Sequence, residues 1–225
     1  MSSIFSKIFN YIRSKKFPNK QGVIVYIDGF NLYYGLKEKL WQKYYWLNIQ
    51  NLSLNLLKQN QLLKKVKYFT ARVSSHPGDP QKSKRQITFL EALETLTDTD
   101  IYYGKFLRKP IRCVRCGKTM NIPEEKMTDV NIATELIVDA YANNFDTAIL
   151  ISADSDLSSP MINIKRLFPN KKLIVAFPPN RYSVELDKLA YDTLYITRSH
   201  LSRSQFPPTV KKADGFTLVR PTSWQ

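Results

Sequence analysis

Cysteine occurs only twice in the 225 residues, at Cys113 and Cys116. Two thiols three positions apart exclude the multi-bridge framework of a small secreted domain and fit a reducing, cytoplasmic setting. No apolar run approaches the ~20 residues that a membrane-spanning helix needs, so no transmembrane contact is expected. Histidine also occurs twice, His76 and His200, each in a loop-like context. A Ser–His or Cys–His nucleophile is therefore not evident. Internal repeats are absent, which sets aside solenoid architectures. Acids are scarce beside bases: 19 Asp and Glu against 34 Lys and Arg give a net charge of +15. Such an excess attracts polyanions, and the nucleic-acid phosphate backbone is the commonest of these. With 43% apolar residues, the chain is long enough to bury one sizeable core.

Between residues 22 and 197 strand-like runs alternate with helix-spaced segments. Strands are expected at 23–27, 62–72, 101–107, 147–151, 171–177 and 194–196, a pattern that argues for an α/β fold with a parallel sheet. One helix is expected to turn Ile87, Leu90, Leu93 and Leu96 to a single face. Residues 1–21 form a separate basic segment in which Ile4, Phe5, Ile8, Phe9 and Ile12 recur at helical spacing. It lacks the continuous apolar core and cleavage site of a signal peptide. Packing on the domain or on a partner is favoured over peripheral contact with an anionic membrane. Residues 198–225 are basic and carry Pro207, Pro208 and Pro221. This tail either wraps on the domain through Phe216 and Trp224 or stays unfolded.

The acids that stand out lie at the ends of these elements. Asp28 follows the run Val23–Ile27, with Gly29 for a tight turn and Asn31 at the start of a helix. Ligands of open α/β sheets bind outside the carboxyl ends of strands, so Asp28 points there. Asp129 falls in the first turn of a helix expected from Thr128 to Asn143, with Thr128 as N-cap and Val130, Ala133, Ile137 and Ala140 as its apolar face. Asp154 and Asp156 lie just past the strand at 147–151. If the two strands are parallel neighbours, these acids meet, and acids that meet repel unless a cation sits between them. Ordinary roles as helix-capping and turn residues are the competing explanation. Carboxylates suit a hard cation, Mg²⁺ or Mn²⁺.

From Gly104 to Met120 the chain is basic without an acid, and a loop at 108–122 holds the CxxC pair. Arg108, Lys109, Arg112, Arg115 and Lys118 make it the candidate nucleic-acid contact. Zinc normally wants four ligands, and neither histidine stands at knuckle spacing from Cys113 and Cys116. A zinc site within one chain is disfavoured; a hairpin with two inert thiols, or a site shared between copies in a homo-oligomer, accounts for the pair as well.

The segments YIDGFNLYYGL, EEKMTDVNIATELIVDAY and AILISADSDL, in that order, resemble the NYN domain, the LabA-like branch of the PIN-like nucleases. The resemblance extends to Phe69–Arg72, to Arg85-Gln86 ahead of FLEAL, and to AFPPNRYSVELDKLA, and it covers residues 22–197. It implies a PIN-like three-layer sandwich, a mainly parallel central sheet flanked by helices. It also implies metal-dependent cleavage of RNA, single-stranded in the simplest case, with Asp28, Asp129, Asp154 and Asp156 as metal-binding and catalytic acids. Asn31, Arg85, Lys126 and Ser152 become the candidates for substrate contact, Arg85 because a guanidinium forks onto phosphate oxygens. Glu135 stands where many relatives carry aspartate. Two other readings share these residues: an RNA-binding module without turnover, and a phosphohydrolase with an aspartate nucleophile. Against the last, Asp154 lies beyond the strand end rather than on it.

Overall fold

The structure, a computed structural model, describes residues 20–74, 78–112 and 114–225. Residues 1–19 of the basic segment read at the amino terminus, His76 and Cys113 lie outside the described residues, as does the side chain of Arg108. Six strands form one parallel sheet: β1 (Gln21–Asp28), β2 (Gln61–Thr70), β3 (Thr99–Tyr103), β6 (Thr147–Ile151), β7 (Lys172–Phe177) and β8 (Asp192–Tyr195). Their spatial order is β3-β2-β1-β6-β7-β8. The chain thus starts in the middle, runs outward through β2 and β3, then returns beside β1 and runs outward the other way. The two neighbours β1 and β6 flank the point where the direction reverses, and the crevice outside their carboxyl ends is where such sheets bind ligands.

Why these strands are central follows from their side chains. Every residue of β1 from Gly22 to Asp28 is buried, so both faces of the strand are covered. Because side chains alternate across a strand, Val23, Val25 and Ile27 join one core and Ile24 and Tyr26 the other. The first core is closed by α1 (Gly29–Glu38), α2 (Ile49–Leu56) and α3 (Lys82–Leu93), through Leu32, Leu52 and Leu90 among others. The second is closed by α4 (Thr128–Tyr141), α5 (Ser158–Leu167) and α6 (Val184–Leu189), through Ile132, Ile164 and Leu186. This is the three-layer sandwich expected, with the sheet parallel throughout.

Several expectations need correction. The strand read at 101–107 is two: β3 ends at Tyr103, and β4 (Lys105–Arg112) leaves the sheet to pair antiparallel with β5 (Thr119–Lys126) as a separate hairpin. In α3, Leu90 and Leu93 are buried but Ile87 is 48% exposed. In α4, Val130 and Ile137 face solvent, and the buried stripe is Ile132, Leu136 and Ala140 with Asp139. A buried aspartate disguises the true face from any count of apolar spacing. The last strand begins at Asp192 rather than Leu194.

Residues 198–225 are folded. After α7 (Arg198–Ser202) come a small hairpin, β9 (Thr209–Lys211) with β10 (Thr217–Val219), and a final 3₁₀ turn at Thr222–Trp224. Trp224 packs against Tyr45, Trp46 and Phe89, and the Trp46 indole donates to the Pro207 carbonyl at 2.8 Å. Phe216, the other aromatic expected to anchor this segment, is 61% exposed.

Asp139 belongs to a buried polar knot that ties α4 to the sheet. Lys67 Nζ donates to Asp139 Oδ2 at 2.5 Å and to Glu135 Oε2 at 2.7 Å, and the Tyr26 hydroxyl donates to the same Asp139 oxygen at 2.5 Å. Burial alone would pull the Lys67 amine down, yet the two carboxylates hold it above the usual lysine range. Removing one partner of such a pair strands the other charge. Lys67→Met is expected to cost about 3 kcal/mol, roughly 6–12 °C in melting temperature. Adding Asp139→Leu should recover part of that loss; urea and thermal unfolding of both variants provide the check.

Candidate metal centre and nucleic-acid surface

The register of β1 on β6 decides where the acids stand. Ile27 lies opposite Ile151, so the next residues, Asp28 and Ser152, emerge side by side. The Ser152 hydroxyl donates to Asp28 Oδ2 at 3.0 Å and accepts from the Asp154 amide at 3.1 Å. Asp28 Oδ1 accepts the Asn31 amide at 2.9 Å, which makes Asp28 the cap of α1. The Asn31 side-chain oxygen in turn accepts the Ala153 amide at 3.1 Å. Asp154 Oδ1 accepts the Asp156 amide at 2.9 Å and shapes the 3₁₀ turn Ser155–Leu157. Hydrogen bonds thus stitch both strand ends into one unit.

Gly29 is needed here for space. It is the first residue of α1, and a Cβ on it would stand 2.6 Å from both the Phe69 carbonyl oxygen and the Tyr68 hydroxyl. The tight turn expected of it is replaced by a close approach of backbone to β2.

Asp129 reaches the same place from α4. The helix is entered through Met127 at φ 83°, a left-handed conformation that is strained for a residue with a Cβ. Glu125 does the capping expected of Thr128. Its carboxylate accepts the Thr128 amide at 3.1 Å and also takes the Thr128 hydroxyl. Thr128 itself is buried as the first helical residue.

The electrostatics record the convergence. Burial lifts the Asp129 carboxyl to about 7, and the charges of Asp154, Asp28, Glu125 and Asp156 add to the lift. Asp28 is raised to about 6, chiefly by burial, against the opposing pull of the Asn31 amide and the Ser152 hydroxyl. Among the described residues none of the four aspartates has an ion pair with lysine or arginine. Nor do three of them, among the described residues, already form a ready ligand set. The donor chemistry fits a hard cation all the same. The charges of the other carboxylates raise Asp129, and among the described residues no hydrogen bond engages the side-chain oxygens of Asp129 or Asp156.

The other candidates are placed differently. Ser152 is fully buried, with its hydroxyl engaged between Asp28 and Asp154. Its position makes it a support for the acids and keeps it from a ligand. Arg85 is held by Asp79 beside Tyr33, and Gln86 clamps the turn after β2 through Ala71 and Val73. Lys126 pairs with Glu124 at 2.7 Å on the hairpin surface. Glu135 lies in the Lys67 knot, away from the four aspartates. Sequence reasoning missed Lys67, because a lysine inside an apolar strand gives no sign of the acids it will meet on another element.

The β4–β5 hairpin carries seven lysines and arginines against two glutamates between residues 105 and 126. Its base packs beside the acids, the Phe106 ring standing edge-on to Phe30 with centroids 5.9 Å apart. Lys109 approaches Glu124 at 3.8 Å, Arg112 donates to the Gly117 carbonyl at 3.3 Å, and Arg115 and Lys118 are exposed near the tip. Cys116, at the same tip, is an exposed free thiol. Among the described residues no helix is long and apolar enough to cross a membrane.

Comparison with known proteins agrees with this architecture. A 6-hydroxy-3-succinoylpyridine 3-monooxygenase of Pseudomonas putida is 26% identical, over 89% of this chain and 74% of its own length. The crystal structure of a protein of unknown function from Vibrio parahaemolyticus superposes with a TM-score of 0.51 at 21% identity, covering 84% of this chain and 98% of that one. That likeness shows a shared fold. The NYN domain matches residues 22–195, most of the chain and all six strands of the central sheet but for the first residue of β1. The chain belongs to the NYN domain family, within the PIN-like nucleases.

Proposed function

We propose that this protein is a divalent-cation-dependent endoribonuclease that hydrolyses phosphodiester bonds of single-stranded RNA in the cytoplasm. The observation that carries this reading is the carboxylate seam. Asp28, Asp154 and Asp156 come from two adjacent strand ends and Asp129 from a facing helix start, and their charges act on one another. Asp28, Asp129 and Asp154 would hold Mg²⁺ or Mn²⁺, with Asp156 completing the set. The bound ion would supply positive charge to the scissile phosphate and activate water for in-line attack.

The chain's own groups do the rest. Ser152 and the Asn31 and Asp156 amides fix the carboxylate directions. The hairpin cations hold the strand's phosphates, a sequence-independent attraction that weakens with salt. The Asn31 side-chain nitrogen, Nδ2, with no partner among the described residues, is free to donate to a phosphate oxygen. An RNA-binding module without turnover would use the same cations and the same fold, and it is the second reading. An aspartate-nucleophile phosphohydrolase has less support, since Asp154 lies in the loop past β6 with one oxygen engaged by Asp156. No feature of the seam favours the oxidation named for the Pseudomonas relative.

The test is cleavage of labelled single-stranded RNA and DNA across a metal series. Mn²⁺ or Mg²⁺ should support RNA cleavage, EDTA should stop it, and Asp28→Asn and Asp154→Asn should reduce it to background while melting as cooperatively as the parent. Undiminished cleavage in EDTA would refute the proposal. Replacing Lys109, Arg112, Arg115 and Lys118 together by serine should weaken RNA binding and lower the slope of log affinity on log salt by up to about three. An unchanged slope would remove the hairpin from the interface.

The seam also fixes a pH dependence. Asp28 and Asp129 hold their protons to higher pH in the folded chain than in the unfolded chain, where an ordinary aspartate titrates near 3.9. Between those values the native state binds more protons, so stability without metal should fall as pH rises from about 4 to 7. Asp129→Asn should flatten the fall and raise the melting temperature at pH 7.5 by about 2–4 °C. Mn²⁺ should stabilise the parent at pH 7.5 and have little effect at pH 5. Melting curves across pH, with and without metal, read all three effects.

A further inference from the structure

A second ligand surface lies at the far end of α1 from the acids. Trp41, Phe177, Pro178, Tyr182 and Tyr195 line a cleft of about 340 Å³ with Lys39 and Arg181 at its rim. Its volume sits at the lower end of the range for small-ligand sites. Phe177, fully buried, forms the floor, with its ring centroid 4.9 Å from Tyr182 and 5.7 Å from Tyr195. Those two tyrosines are 51% and 58% exposed. The Arg198 guanidinium stands 5.5 Å over the Trp41 ring.

The cleft is built. The loop carrying its walls rests directly on α1, where a Cβ at Gly35 would stand 2.4 Å from the Pro179 carbonyl oxygen. Glu38 fastens the same loop by accepting from Asn180 at 3.1 Å and from Arg181. The Tyr182 hydroxyl donates to Asp187 at 3.0 Å, which fixes its ring. Both the cleft and the acids lie where strands end: Phe177 closes β7 and Tyr195 closes β8, as Asp28 closes β1. Between Asn31, beside the acids, and Lys39, at the rim, α1 advances about 12 Å at 1.5 Å per residue. That distance corresponds to about three or four nucleotides of a stacked strand at 3.4 Å each.

We infer that this cleft is a stacking subsite for an unpaired base of a single-stranded nucleic acid whose backbone passes the carboxylate seam. Exposed aromatic rings take a base face-on whatever its identity, and Lys39 at the rim with Arg198 over Trp41 supplies counter-charge for its phosphates. The two acids nearby, Glu38 and Asp187, are engaged by Arg181 and Tyr182. Glu38 offsets Arg181, and Asp187 keeps its charge against the neutral Tyr182 hydroxyl, so three cations against two carboxylates leave one positive charge about the cleft. The inference takes its ligand class from the ribonuclease reading; the cleft itself does not depend on turnover.

Binding of labelled oligoadenylates and oligodeoxyadenylates of one to eight nucleotides to Asp28→Asn protein tests it by fluorescence anisotropy. Affinity should rise in a step at the length that spans seam and cleft. Tyr182→Ala and Tyr195→Ala should each weaken binding of the longer strands about 5- to 150-fold and erase the step. An abasic nucleotide scanned along the strand should cost the same at one position, and that cost should not add to the loss in Tyr195→Ala. If one tyrosine variant misfolds, the scan paired with the other still decides the matter. Unchanged affinity in both variants, additive losses at every position, or a change in sedimentation in place of a change in affinity would overturn the subsite. Tyrosine-dependent binding with no cleavage in any metal would sink the ribonuclease reading alone. Metal-dependent cleavage with KM unchanged in both variants would sink the subsite alone.

Discussion

Like charges held together against their own repulsion are the constraint around which this molecule is arranged. Asp28 and Asp154 leave adjacent parallel strands and are tied through one buried hydroxyl, that of Ser152. Asp129 is brought to them by a helix entered through a left-handed Met127 and capped by Glu125. No lysine or arginine among the described residues neutralises the group. A core that needed only stability would put an apolar side chain or a counter-ion there. The cost of leaving these carboxyls with raised pKa values makes sense if a cation offsets it when bound.

The rest of the molecule supports that seam at a distance. The Lys67 knot fixes α4 on the sheet, and with it the direction from which Asp129 arrives. Lys67 satisfies two carboxylates inside the protein, while the hairpin carries seven lysines and arginines against two glutamates and Lys39 and Arg198 stand about the aromatic cleft. These two surfaces lie on either side of the seam, the hairpin touching Phe30 at the start of α1 and the cleft resting on its end. A polyanion crossing the acids would meet positive charge both before and after them.

Much of this was legible in the sequence because the decisive elements are local. A buried parallel strand announces itself as a continuous apolar run, so Val23–Ile27 and Thr147–Ile151 were found nearly residue for residue, with their acids at the ends. The order of three separated motifs then named the family. What stayed hidden depends on partners distant in sequence. Lys67 looks like a strand residue facing water until Glu135 and Asp139 arrive from α4. The apolar face of that helix was misplaced for the same reason. The break at Gly104 and the folding of residues 198–225 onto Trp46 depend on packing that no short-range pattern carries.

The central claim is that Asp28, Asp129, Asp154 and Asp156 share one ion. The most direct measurement is paramagnetic broadening by Mn²⁺ in the amide NMR spectrum at neutral pH. Selective loss of signals from residues 28–31, 128–130 and 152–157 at low Mn²⁺, abolished in Asp28→Asn, is the expected result. Broadening spread over the surface, or unchanged in Asp28→Asn, would contradict it.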